Sequence, residues 1–95
     1  MQLGGKMSLP FFEQQVNQNV YLRKFLNDTE DEEYVWHRDQ EDRVIEVISS
    51  DGWQFQQENE LPVVMKEGMK IHIPKLSWHR VIKGKDDLVL KIVKL

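Results

Sequence analysis

Short β-forming runs broken by turn residues at about ten-residue intervals dominate this chain, and that rhythm constrains its fold class more than any other feature. Residues 20–26 (VYLRKFL), 34–39 (YVWHRD) and 43–48 (RVIEVI) are rich in β-branched and aromatic side chains. The turn Ser49-Ser50-Asp51-Gly52 follows, with an Asp-Gly pair that accepts the positive φ of tight hairpins. Residues 53–56 (WQFQ) alternate apolar and polar, the period of a half-buried strand. Runs at 61–65, 71–73, 77–83 and 88–93 complete the set, separated by turns at 58–60, 66–68 and 84–87. The pattern predicts an all-β sandwich or barrel across residues 1–95, as one domain without linker or repeat. Residues 1–10 (MQLGGKMSLP) read as a flexible leader, in which Met7 is a second candidate start. Residues 11–19 (FFEQQVNQN) are ambiguous and admit a short helical turn, and 27–33 read as a solvated acidic loop.

Size and charge narrow the classes of function. A chain of 95 residues with 40% apolar side chains buries roughly 60–65% of its unfolded surface, enough for one modest core. Several late runs are apolar on both alternating faces, so one face lines the interior and the other calls for a covering sheet, the N-terminal segment or a second copy. A homodimer is the expectation. The net charge of −3 argues against a nucleic-acid binder, which needs a basic surface. The absence of cysteine removes disulfides, thiolate nucleophiles and cysteine-ligated metals, and suits a reducing cytoplasmic compartment. Apolar stretches fall far short of a membrane span, and the first residues do not read as a signal peptide.

The histidines carry the chemistry. His37 and Asp39, two apart on an expected strand, project from one face. With His79 on a later strand they make a two-histidine, one-carboxylate set, the kind that holds non-haem Fe(II) and leaves positions open for substrate. The competing reading pairs Asp39 with Arg43 as an ion pair and leaves both histidines as ordinary hydrogen-bonded residues. His72 stands between Ile71 and Ile73 and faces outward if those isoleucines fill the core. Glu46 falls on the face opposite Arg43, and Glu41 is an alternative carboxylate if its loop folds back. Tyr34, Trp36, Trp53, Phe55 and Trp78 could stack on a ring-shaped ligand, but packing is the more economical role. Trp36 and Trp78 each precede a candidate histidine, which turns them to the opposite face. The last third is basic and could attract an anionic small molecule, or simply protect sheet edges. Ser49, Ser50 and Ser77 have no nucleophile context, and no phosphate-cradling glycine loop is present.

Residues 68–79 (GMKIHIPKLSWH) resemble the second signature of the cupin superfamily, with Gly68, Pro74 and His79 in register, Leu76 in place of its second Gly and Lys83 in place of a following Asn. The first cupin signature, His-x-His then Glu then a hydrophobic strand ending in Gly, is similar to His37, Asp39, the strand 44–48 and Gly52, with Arg43 or Val44 where Glu stands. The resemblance covers roughly residues 20–95. It implies a double-stranded β-helix, or jelly-roll, barrel with a short N-terminal extension, commonly dimeric. It implies Fe, Mn, Ni or Zn at the barrel mouth, with His37 and His79 as ligand positions and Asp39 substituting for an imidazole. Arg43 at the Glu position opposes a cation and suits an anionic ligand.

Two functions follow as expectations. In the first, His37, Asp39 and His79 hold a divalent metal while Arg43 orients a small polar or anionic metabolite, in isomerase- or dioxygenase-like chemistry. In the second, a metal-free module binds a sugar or carboxylate through His37, His79 and Arg43. The His-x-Asp…His spacing is also similar to that of Fe(II)/2-oxoglutarate oxygenases, but those add a downstream Arg where this chain offers Lys85, Lys91 and Lys94.

Overall fold

The computed structural model of the chain describes residues 11–28 and 35–95. Eight strands run in the order β1 (Phe11–Asn17), β2 (Val20–Phe25), β3 (Arg43–Ser49), β4 (Gln54–Gln57), β5 (Val63–Val64), β6 (Lys70–Ile73), β7 (His79–Ile82) and β8 (Leu88–Lys94). They form a five-stranded sheet, β1-β2-β8-β3-β6, and a three-stranded sheet, β5-β4-β7. Every pairing is antiparallel. From β3 onward the chain passes back and forth between the sheets, so residues distant in sequence meet across the interior.

Alternation along each strand decides which side chains fill that interior. In β8, Leu88, Leu90 and Ile92 are buried while Val89, Lys91 and Val93 lie on the outer face. Ile45 and Val47 of β3 pair with Ile92 and Leu90 and point the same way. Phe55 and Val81 close the core from the smaller sheet, joined by Trp53 and Met65. Each of these large side chains contributes about 1.5–3 kcal/mol by leaving water. Trp53 is fully buried, and its indole N–H donates to the Asp86 carbonyl, which satisfies the one polar group it brings inside.

Most of the strand pattern appears where the residue periodicity puts it, with four corrections. Residues 11–17 form β1 rather than a helical turn: Phe11 pairs with Phe25, Arg23 is bonded to Glu13, and the tertiary contacts of β2 overrule a weak local preference. Of residues 34–39, those described make no strand; His37 forms an isolated bridge to His79. The run 61–65 shortens to β5, with Leu61 exposed. The Asp51-Gly52 turn forms with Gly52 at φ 80, but it carries the chain from one sheet to the other, and β3 and β4 find other partners. The leader at 1–10, Tyr34 and most of the acidic loop lie outside the described residues.

Candidate metal centre

Two segments bring the site together. His79 opens β7 and points inward, buried to 3% exposure, with Phe55 stacked 5.7 Å from its ring. His37 is laid beside it by a reciprocal pair of backbone bonds, His37 N–H to His79 O and His79 N–H to His37 O, both 2.9 Å. A bridged pair of this kind projects both side chains to one side of the sheet, and the rings meet edge to face at 4.2 Å. Asp39 follows two residues later on the same side. Its bend is tied down by Leu76 N–H to Asp39 O at 2.7 Å and Lys75 N–H to the Asp42 carboxylate at 2.7 Å.

One ligand atom from each of His37, Asp39 and His79 lies within 4.8 Å of the others. His37 Nδ1 is 3.2 Å from the Val35 carbonyl, and His79 Nδ1 is 3.0 Å from the Ser77 carbonyl. A carbonyl only accepts, so each Nδ1 that makes such a bond carries hydrogen; a neutral ring then offers an Nε2 lone pair, and a protonated ring donates from Nε2. His79 Nε2 then faces Asp39 Oδ2 across 3.2 Å. That oxygen is buried, and its partner across the gap is the His79 ring. Two lone pairs held this close require a proton or a metal ion between them. The donor set, N, N and O with their other atoms already engaged, fits a divalent ion.

The charges around the site are coupled. Asp39 Oδ1 lies 3.3 Å from Arg43 Nη2, and Arg43 Nε donates to Glu41 at 2.6 Å. The Asp39–Arg43 ion pair forms, but it uses one Asp39 oxygen and leaves the other facing His79. Glu41 is occupied by Arg43. Burial pushes the Asp39 carboxyl up, but the His79 ring and the Arg43 guanidinium outweigh it and hold it below the usual carboxylate range. Burial also lowers His37, outweighing the bond to Val35, with His79 adding to the effect.

The site opens into a small, partly open cleft walled by Ile45, Phe55, Ile73, Val81, Leu90 and Ile92, with Arg23 and Arg43 at its polar end. No family model matches the chain, and no curated protein does. Solved structures do. The DMSP lyase DddQ of Ruegeria pomeroyi superposes with TM-score 0.77 at 12% identity, over 98% of this chain and 50% of that one. The Fe(II) form of HppE with an alternative substrate gives 0.64 at 15%, over 80% of this chain and 41% of that one. A cupin domain of Bordetella pertussis gives 0.60 at 18% identity, over 94% of this chain and 98% of that one. The chain has the cupin fold. It spans half or less of the DddQ and HppE chains, but nearly all of the Bordetella cupin domain.

Cupin geometry accounts for the signature residues. Gly68 has φ 89 in the turn before β6, and Leu76, at the position of the second cupin Gly, has φ 63. His72 is exposed on the outer face while Ile73 is buried, so it stands away from the site. Glu46 lies outside as well, opposite Arg43. Two features escaped the residue reading. Arg23 lines the cleft from β2, with its guanidinium stacked 4.1 Å above Phe11 and paired with Glu13. Its position in the strand, in phase with Phe25, was the available signal. The tripeptide Trp-His-Arg also occurs twice, at 36–38 and 78–80, and these two copies are the segments that bridge.

Proposed function

We propose that His37 Nε2, Asp39 Oδ2 and His79 Nε2 bind a divalent metal, and with it a small polar or anionic metabolite. The observation that carries this reading is the buried Asp39 Oδ2 facing His79 Nε2 at 3.2 Å, with a His37 ligand atom gathered within 4.8 Å of both. The solved cupin-fold structures include an Fe(II) HppE and a Co(II) HppE with substrate, which supports a transition metal at such a position. A protein described as a putative mannose-6-phosphate isomerase supports a small-metabolite substrate. Bound here, Fe, Mn, Ni or Zn would supply a Lewis acid for a substrate oxygen or, as Fe(II), a site for oxygen chemistry. The protein's own part is to orient and to exclude water. Arg43 and Arg23 direct an acidic group toward the polar end of the cleft, and Phe55, Ile73 and Val81 keep the opposite wall dry. With neutral imidazoles, two guanidiniums face the three carboxylates of Asp39, Glu41 and Glu13, one net negative charge. A divalent ion reverses that to one positive charge and suits a monoanion. Isomerase- and dioxygenase-like reactions both fit this arrangement.

Titration of tag-free, chelator-treated protein with Fe(II), Mn(II), Ni(II) and Zn(II) in a calorimeter tests the reading. Stoichiometric binding of one of them is expected, and no binding of any would retire it. A metal-free binding module is the second reading, favoured by the 3.3 Å Asp39–Arg43 pair. It requires ligand stabilisation in a thermal-shift screen that EDTA leaves intact. We also propose a homodimer through the outer face of the five-stranded sheet, where Val20, Leu22, Val44, Val89 and Val93 are only half-buried. Sedimentation giving a monomer at micromolar concentration overturns it. A cytoplasmic location suits the cysteine-free composition.

A further inference from the structure

We infer that two interlocked Trp–Arg pairs on the outer surface form a clasp that positions His37 and His79 for a shared ion; this rests on the metal reading above. The bridge His37↔His79 sets Trp36 opposite Arg80 and Arg38 opposite Trp78. These flanking positions are the closely spaced, non-hydrogen-bonded pairs of an antiparallel ladder, where opposed side chains interact most strongly. The guanidinium of Arg80 lies 4.9 Å above the Trp36 ring, and that of Arg38 lies 4.9 Å above the Trp78 ring. The duplicated Trp-His-Arg tripeptide thus pairs with itself in reverse, imidazoles inward and both cation–π contacts outward.

The arrangement explains two otherwise unfavourable features. Trp36 and Trp78 are 39% and 43% exposed, large apolar rings on a soluble face. A ring with a guanidinium on one face is a contact already made rather than a vacant docking patch. The His37 segment also joins β7 through a single bridge instead of a strand ladder. Any opening of that bridge separates the two Nε2 atoms and reduces the binding-competent fraction, which weakens apparent metal affinity in proportion. The clasp therefore raises affinity without touching the ion, and its four residues are positioning residues.

Amide hydrogen exchange on the metal-free full chain, beside Zn(II) calorimetry, tests this. Trp36→Leu should speed exchange at the His37 and His79 amides about threefold, the scale of an exposed cation–π contact, and weaken Zn(II) binding by the same factor. Arg80→Lys, which keeps a cation for the Trp36 ring, should leave both close to the values of the unaltered chain. Arg80→Gln also breaks the bond from Arg80 Nε to Gln56 Oε1, so its cycle with Trp36→Leu must be non-additive. Unchanged exchange at His37 and His79, or faster exchange shared equally by Leu90 and Ile92 in the core, overturns the clasp. If the unaltered chain binds no Zn(II) or other divalent ion, the metal reading falls, and exchange alone decides the clasp.

Discussion

Leu76 shows what one residue can reveal. It holds φ 63, a left-handed conformation, with its side chain 45% exposed. A Cβ in that region costs about 1–2 kcal/mol, while glycine there loses roughly 0.5–1 kcal/mol through the greater freedom of its unfolded chain. Leu76→Gly is therefore expected to raise stability by up to about 1 kcal/mol in urea denaturation. Asp39→Asn removes the anionic ligand and the charge facing Arg43 and His79. Zn(II) affinity should fall at least about a hundredfold in calorimetry, and the apo melting temperature should fall modestly at neutral pH with the lost ion pair. His37 supplies a pH prediction. Its folded form holds the ring below the ordinary value of about 6.5, so the unfolded chain takes up the proton first as pH falls. Apo stability should decline from about pH 7 toward the lowered folded value and then level. Asp39 has the opposite charge type and adds stability above its unfolded value, lost only in stronger acid as its lowered folded value is passed. His37→Gln should remove the upper step in urea midpoints measured across pH and leave the lower one.

At the scale of elements, strands whose apolar residues alternate cleanly were legible, because burial on one face imposes period two. That covers β4, where Phe55 is buried as its spacing predicts; β3 and β8 were legible as strands, but apolar residues occupy both their faces, and only the sheet packing decided that Ile45, Val47, Leu88, Leu90 and Ile92 are the buried set. β1 was not legible. Glutamines and a lone Val16 give no period, and only the partnership with β2 makes the strand. The His37 segment failed in the other direction, since β-forming residues occur there but only one bridge closes. The turn before β8 depends on a close approach invisible to periodicity. A Cβ on Gly84 would collide with the Asp51 carbonyl oxygen and the Trp53 nitrogen, both backbone atoms. Gly84→Ala should accordingly destabilise by about 1–3 kcal/mol, read as a lower urea midpoint with an unchanged slope.

For the whole molecule, the proposed metal would join two segments distant in sequence, so its binding and folding would be linked. A metal present at about a hundredfold over its Kd stabilises by about 2.7 kcal/mol. For a domain of this size that raises Tm by roughly 10–20 °C. The rise should appear in a thermal melt with the cognate ion and vanish on adding EDTA; a Tm indifferent to every divalent ion would count against the metal site. Among the described residues no helix is long and apolar enough to cross a membrane.

By itself the amino-acid order determined the all-β class, the turn at Gly52, the candidate histidines and the carboxylate beside one of them. These are properties of local conformation and of spacing along a single strand, where neighbours in sequence are neighbours in space. Only the tertiary structure decided that His37 bridges His79, that one Asp39 oxygen meets Arg43 while the other meets a histidine, and that Arg23 turns into the same cleft. Those facts depend on which strands pair and which sheet each joins, and strand pairing is set by the sum of contacts across the whole core rather than by any stretch of chain.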